Sequence, residues 1–157
     1  MCGIIRKIKR EDGFALVLVA GVIAVFLLLL GFGLDMGRTW LYSGGLQNAI
    51  DAAALAGAAA AYVRMEVDGL GNVYSQELLL DPFVAETESK NVFYANAARL
   101  NLDDKKSTQL ESVEVKVDQN RVTVTAKMRV KMYLLQLAGY QYMTITKSST
   151  AECILSN

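Results

Sequence analysis

The feature that most constrains this chain is an uncharged apolar run, residues 14–34, close to the N-terminus. As a helix with about 1.5 Å rise per residue, the run would be roughly 31 Å long. That length matches the hydrocarbon core of a bilayer, about 30 Å thick. A backbone surrounded by lipid must satisfy its own hydrogen bonds, which favours helix throughout. We therefore predict a transmembrane helix from Phe14 to Leu34.

The charges that flank the run predict its orientation. Four basic residues precede it, Arg6, Lys7, Lys9 and Arg10, whereas Arg38 is the one basic residue among the twenty that follow. The positive-inside rule then places a basic leader, residues 1–13, in the cytoplasm and residues 35–157 outside it. A cleavable secretory signal has a shorter apolar region and a small-x-small site. The nearest such triplet is Gly31-Phe32-Gly33, so a lasting anchor is favoured over an ordinary signal peptide.

Composition excludes several function classes. The 157 residues carry a formal net charge of zero, so no basic field predicts a nucleic-acid partner. The absence of histidine removes histidine triads, histidine metal sites and the commonest general base. The opening Met-Cys-Gly-Ile resembles that of class II glutamine amidotransferases. The layered fold of such an enzyme cannot be built from the few residues between Gly3 and Asp12, before the apolar run begins. Asp68 and Asn72 match no calcium-loop spacing. We predict no catalytic, cofactor or metal site, and no enzyme.

The two cysteines, Cys2 and Cys153, would lie on opposite sides of the membrane and could not pair within one molecule. Cys153 would then be a buried strand residue, a reactive thiol or a link to another chain.

Helical patterning continues beyond the span. From Asp35 an alanine-rich stretch reaches Met65, with a thin apolar stripe formed by Leu46, Ile50, Ala53, Gly57 and Ala61. The stripe could face the core of its own domain or a neighbouring subunit. Gly44-Gly45 would weaken the helix. After a turn at 68–72, Asp81-Pro82 predicts the N-cap of a second helix, 82–100. Its expected apolar side comprises Val84, Asn91, Ala95, Ala98 and Leu102.

Strict alternation predicts a sheet in the last third. Valines alternate with charged residues from Val113 to Val117 and again after Val122. A two-residue turn at Gln119-Asn120 would pair Asp118 with Arg121, Val117 with Val122 and Val115 with Val124. A third strand is expected over residues 140–153, after an apolar stretch 134–138 closed by Gly139. The predicted fold is therefore α+β, with a long helix, a second helix and a three-stranded antiparallel sheet.

Two stretches carry a family resemblance. Residues 31–58 resemble the N-terminal segment of TadE/TadG-like proteins of bacterial Tad (Flp) pilus systems. In that family an apolar span is followed by Asp-x-Gly-Arg and then by Leu-Gln-x-Ala-x-Asp-Ala-Ala-Ala-Leu-Ala. The matching positions here are Asp35, Gly37, Arg38, Leu46, Gln47, Ala49 and Asp51, followed by Ala52, Ala53, Ala54, Leu55 and Ala56. The stretch from Met132 to Glu152 is similar to the family's closing pattern of a short apolar helix, a glycine and a strand.

The resemblance implies a pilin-like fold and a short, pseudopilin-like family member. Such a protein would be a structural component of a Tad/Flp pilus or related secretion machinery in the bacterial inner membrane, with a surface pilus as a second location. Its partners would be membrane lipid, other pilus or secretion subunits, and further copies through the N-terminal helix. The alternative is a membrane-anchored binding or adhesion module outside the cytoplasm.

Prepilin peptidases cut after a glycine, and Gly13-Phe14 suits such a cut after the basic leader. The fifth mature position would then be Leu18, where pilins of these systems usually carry glutamate. Asp35 and Arg38 lie one helical turn apart. They could form an ion pair at the membrane boundary or orient neighbouring subunits.

Overall fold

The structure, a computed structural model, describes the backbone of residues 5–154 and the side chains of residues 13–154. The opening residues with Cys2, and the basic side chains of the leader, lie outside this description. The helices are α1 (Ile5–Ala59) and α2 (Pro82–Arg99), with a 3₁₀ helix at Leu135–Ala138. The strands are β1 (Tyr62–Val67), β2 (Val73–Leu79), β3 (Thr108–Asp118), β4 (Arg121–Lys131) and β5 (Tyr142–Glu152). The α+β prediction is confirmed.

Helix α1 carries the predicted span. Among the described residues it is the one helix that is long and apolar enough to cross a membrane, with a mean hydropathy of 3.0 in its most apolar 18-residue window. Every side chain from residue 13 to residue 30 is exposed to the surroundings, as lipid-facing residues would be. Gly44 and Gly45 do not interrupt it.

Contacts divide the chain into two compact units. The first contains α1 as far as Arg38 together with residues 132–141, and the second contains residues 39–131 and the chain from Tyr142 onward. The predicted boundary at residue 35 remains a prediction about membrane topology.

The core of the second unit is built from one face of α1, one face of α2 and one face of the three-stranded sheet. Its buried side chains include Leu46, Ala49, Ile50, Ala53, Phe93, Val122, Val124, Met128 and Val130. Gly57 shows how close the packing is, because a Cβ placed on it would lie 2.1 Å from Ser89 Oγ and 2.9 Å from Val122 Cγ1. The alanine-rich stripe therefore faces the core of its own domain, which resolves the two interpretations that its sequence allowed.

The three-stranded sheet has the order β3-β4-β5 and is antiparallel. Asp118 pairs with Arg121, and Val117 pairs with Val122, so the predicted register is confirmed. Two basic side chains of β4 form ion pairs with β3: Lys127 Nζ lies 3.0 Å from Glu111 Oε2, and Arg129 also pairs with Glu111. Thr123 and Thr150 hydroxyls share a cross-strand hydrogen bond of 2.9 Å.

A second, two-stranded sheet was missed by the sequence reasoning. The helical interpretation up to Met65 is wrong, because α1 ends at Ala59 and Tyr62–Val67 forms β1, paired antiparallel with β2. The predicted turn at 68–72 closes this hairpin. Asp68 Oδ1 accepts hydrogen bonds from the N–H groups of Leu70 (2.9 Å) and Asn72 (2.8 Å). The carboxylate of Asp68 therefore stabilises the turn.

Helix α2 begins at Pro82, as predicted, but the face that it buries is not the predicted one. Asp81 caps it, its Oδ1 accepting from the N–H of Phe83 at 2.9 Å and of Val84 at 3.2 Å. The buried face is Ala85, Ser89, Phe93 and Ala97. The predicted face through Val84, Asn91, Ala95 and Ala98 is exposed and was wrong for these positions. Leu102, beyond the helix, is buried.

Candidate functional site

The Asp-x-Gly-Arg motif lies at the end of the apolar run and binds a segment nearly a hundred residues away. Asp35 is only 3 % exposed. Its Oδ1 accepts from the N–H of Tyr133 at 3.1 Å, and its Oδ2 accepts from the N–H groups of Leu134 and Leu135, both at 2.8 Å. The carboxylate thus accepts hydrogen bonds from three backbone N–H groups at the start of the 3₁₀ helix. The first N–H groups of a helix have no partner within the helix itself.

Two further contacts complete this arrangement, which we call the Asp35 clamp: Asp35, Arg38, Gly31 and residues 133–135. The guanidinium of Arg38 lies over the ring of Tyr133, 4.3 Å from its centroid, at a distance suited to a cation–π interaction. The side chain of Leu134 lies against Gly31, where a Cβ would come within 2.9 Å of Leu134 Cβ. A glycine is needed there because any larger residue would displace Leu134.

The electrostatics of the clamp favour an ionised Asp35. Burial alone raises the pKa of this carboxyl group, because it disfavours the charged form. The hydrogen bonds from Leu135, Tyr133 and Leu134 and the positive charge of Arg38 outweigh burial, and together they lower the pKa below its ordinary value. Asp35 is therefore a permanent acceptor at neutral pH. Arg38 therefore has two contacts in the clamp: its positive charge stabilises the ionised Asp35, and its guanidinium packs over the ring of Tyr133.

The rest of the motif serves other parts of the chain. Leu46 is fully buried in the core of the second unit. Gln47 Nε2 donates to Asp51 Oδ1 at 2.8 Å, an exposed bond between residues one turn apart on α1. Gly37 is exposed, and a Cβ on it would meet no described heavy atom within 4 Å, so packing against the described residues does not explain this glycine.

The predicted cleavage position lies on α1. A Cβ on Gly13 would meet no heavy atom within 4 Å among the described residues, and the side chain of Phe14 is exposed. The structure therefore leaves Gly13-Phe14 uncovered by the rest of the described chain.

Cys153 follows β5 and is half-buried. Its thiol donates to the carbonyl oxygen of Ala58, with Sγ 2.9 Å away. Burial, and then the negative charge of Glu152, raise the pKa of this thiol above its ordinary value. A raised pKa leaves less thiolate at neutral pH, which lowers reactivity.

Residues 13–60 match the model of the TadE/G-like Flp pilus-assembly family. The matched segment contains the apolar run, the three residues that α1 contributes to the Asp35 clamp (Gly31, Asp35 and Arg38), and the buried stripe from Leu46 to Gly57. Neither the curated proteins nor the solved structures gave a match.

The TadE/G-like match and the apolar helix together support a pilus-related, membrane-anchored component. The family is one of structural and assembly proteins rather than of enzymes. Within residues 13–154, no three histidine, cysteine, aspartate or glutamate side chains form a group that could hold a metal ion.

Sequence reasoning found Asp35 and Arg38 and missed what Asp35 binds. The spacing of these two residues predicted an ion pair between them, whereas Asp35 accepts its three hydrogen bonds from the backbone N–H groups of residues 133–135. A signal was present: the TadE/G-like resemblance covered two separate stretches, one around Asp35 and one around the apolar stretch 134–138, which contains the 3₁₀ helix.

Proposed function

We propose that this chain is a single-pass subunit of a bacterial Tad/Flp-type pilus or related secretion machinery, either pseudopilin-like or an assembly subunit. Residues 14–34 cross the inner membrane, residues 1–13 stay in the cytoplasm and residues 35–157 fold outside it. The observation that carries the proposal is the TadE/G-like match to residues 13–60, which falls on the apolar run and its flanking motif. Trp40, 83 % exposed shortly after the run, suits the membrane interface, where tryptophan is enriched.

Self-association in this proposal runs through the apolar run. The small-residue face of α1 that could have received a neighbour is occupied by its own domain, as the contact of Gly57 with Ser89 shows. Residues 13–30 keep every side chain exposed and available to lipid or to other helices. Neighbouring subunits would therefore meet along this part of α1.

Leu18 favours a second candidate, a membrane-anchored binding or adhesion module that does not enter a fibre. A glutamate at that place in pilin-like filaments would pair with the amino group of a neighbour in apolar surroundings, where an unpaired charge is costly. Leucine cannot make that pair. We therefore expect a full-length or leader-trimmed protein found mainly in the inner membrane, and at most a minor component of fibres.

The test is the intact mass of the tagged chain from the inner membrane and from sheared surface fibres. A chain that begins at Met1 or Phe14 supports the proposed anchor, and a chain that begins beyond Leu34 refutes it. Gly13→Leu should abolish any product that begins at Phe14. Gly21→Leu is the matched control, because a Cβ at either glycine meets no described heavy atom within 4 Å.

Topology is tested separately with a reporter fused after Asn157. A reporter that is active only outside the cytoplasm supports the proposed orientation, and one that is active only inside refutes it. Abundant chains beginning at Phe14 in sheared fibres would make the protein a major pilin and would exclude the adhesion-module alternative.

A further inference from the structure

The segment that the Asp35 clamp holds is apolar and exposed. This segment, residues 132–141, carries no charged side chain. On the 3₁₀ helix and just after it, Leu137 is 78 % exposed and Tyr140 is 68 % exposed. Large apolar side chains exposed together in this way commonly mark an interaction surface.

The position of the segment points to lipid as the occupant of that surface. Leu134 lies against Gly31, which precedes the end of the apolar run by three residues, or about 4.5 Å of helix. The segment therefore lies beside the last turn of the run. In the proposed anchor that turn lies at the outer edge of the hydrocarbon core.

The backbone of the segment suits such a place, because polar groups near lipid need partners within the protein. Asp35 accepts hydrogen bonds from the N–H groups of Tyr133, Leu134 and Leu135. Local carbonyl oxygens take the next donors: the N–H of Leu137 bonds to Leu134 O at 3.1 Å, and the N–H of Tyr140 bonds to Leu135 O at 3.1 Å. The ends of the segment are also joined, since the N–H of Met132 bonds to Gln141 O at 2.9 Å.

We propose that residues 133–140 form a second membrane contact, in which Leu137 and Tyr140 enter the interface of the extracytoplasmic leaflet beside the end of the transmembrane helix. Tyrosine is enriched at that level of the bilayer, and leucine gains from leaving water. Asp35 makes the contact feasible by removing three unpaired donors from an apolar environment. This inference rests on the proposed membrane anchor.

The test uses depth-dependent fluorescence quenching of the full chain in phosphatidylcholine vesicles with brominated acyl chains. Trp40, the chain's single tryptophan, is first replaced by phenylalanine. One tryptophan is then placed at each of three exposed positions: Leu137→Trp in the segment, Val25→Trp in the apolar run and Leu70→Trp at the turn of the β1–β2 hairpin. All three side chains are exposed, so these variants should keep the fold.

We expect Val25→Trp to be quenched strongly, Leu70→Trp to be unquenched, and Leu137→Trp to be quenched at least half as strongly as Val25→Trp, more by bromines near the headgroup than by deep ones. Quenching of Val25→Trp together with an unquenched Leu137→Trp would overturn the second membrane contact and leave the anchor intact. An unquenched Val25→Trp would refute the anchor itself and, with it, this inference.

Discussion

Replacing Asp35 by asparagine should loosen the segment that it holds. The asparagine oxygen can keep the two N–H groups now on Oδ2, at 2.8 Å each, but its amino group would face the N–H of Tyr133. One hydrogen bond to a charged acceptor is lost, worth about 2 kcal/mol, and the other two lose their charge assistance. Since about 1.4 kcal/mol is a factor of ten, we expect the equilibrium constant for local opening to rise about 30-fold or more.

The protection of the Leu134 and Leu135 amides against hydrogen exchange, measured on the full chain in nanodiscs, reports this local opening directly. Asp51→Asn is the matched control. It changes the same residue type on the same helix, but its bond from Gln47 Nε2 is exposed. Protection of Leu134 and Leu135 should be unchanged in that control. Protection that falls less than about 3-fold in Asp35→Asn would refute the reasoning, since it would mean that the three bonds contribute little.

Three further predictions concern acid, packing and the thiol. Because hydrogen bonds and Arg38 lower the pKa of Asp35, the clamp's stabilisation is complete above the ordinary carboxyl value of 3.8 and is lost as the pH falls through the lowered value. The amide NMR shifts of residues 134 and 135 should therefore titrate with a midpoint below 3.8, and a higher midpoint would contradict the lowered pKa. Gly57→Ala should destabilise the second unit by about 1–3 kcal/mol in denaturant unfolding, because its Cβ would overlap Ser89 Oγ. Gly44→Ala, which meets no described atom, should stabilise it by about 0.5–1 kcal/mol, and equal effects at both glycines would contradict the packing argument. A membrane-impermeant maleimide should label native Cys153 far more slowly than a cysteine placed at the exposed Ile154 position in a Cys153→Ser chain, and equal rates would show that the bond to Ala58 gives no protection.

Local patterns in the sequence were enough to predict the three-stranded sheet. Alternation placed the valines of β3 and β4 on one face, and a slip of one residue would have turned them all to solvent, so the register had one solution. The missed hairpin shows the limit of this reasoning. Val63, Met65 and Val67 also alternate with charged residues, but no glycine or proline marks the end of α1 after its run of alanines.

The face of α2 and the partner of Asp35 depend on packing rather than on local pattern. Helix α2 has few large apolar residues, so its buried face is decided by where Phe93 and Ser89 meet the rest of the domain. The partners of Asp35 lie 98 to 100 residues away along the chain. A single sequence gives no register between such distant positions, and the geometry of the clamp could be learned only from the fold.

Those long separations bear on the order in which the protein is made. If the leader stays in the cytoplasm, as proposed, export begins at about Asp35, and Asp35 would emerge about a hundred residues before the amide groups that it binds. Ala58 likewise emerges 95 residues before the thiol of Cys153. Closing loops of this length is entropically costly, and contacts so distant in sequence form late in folding. In this topology the small-residue face of α1 would stay uncovered until α2 and β4 have been exported, and the carboxylate of Asp35 would stay uncovered until residues 133–135 follow. During this interval the chain would be accessible to a chaperone or to a wrong binding partner.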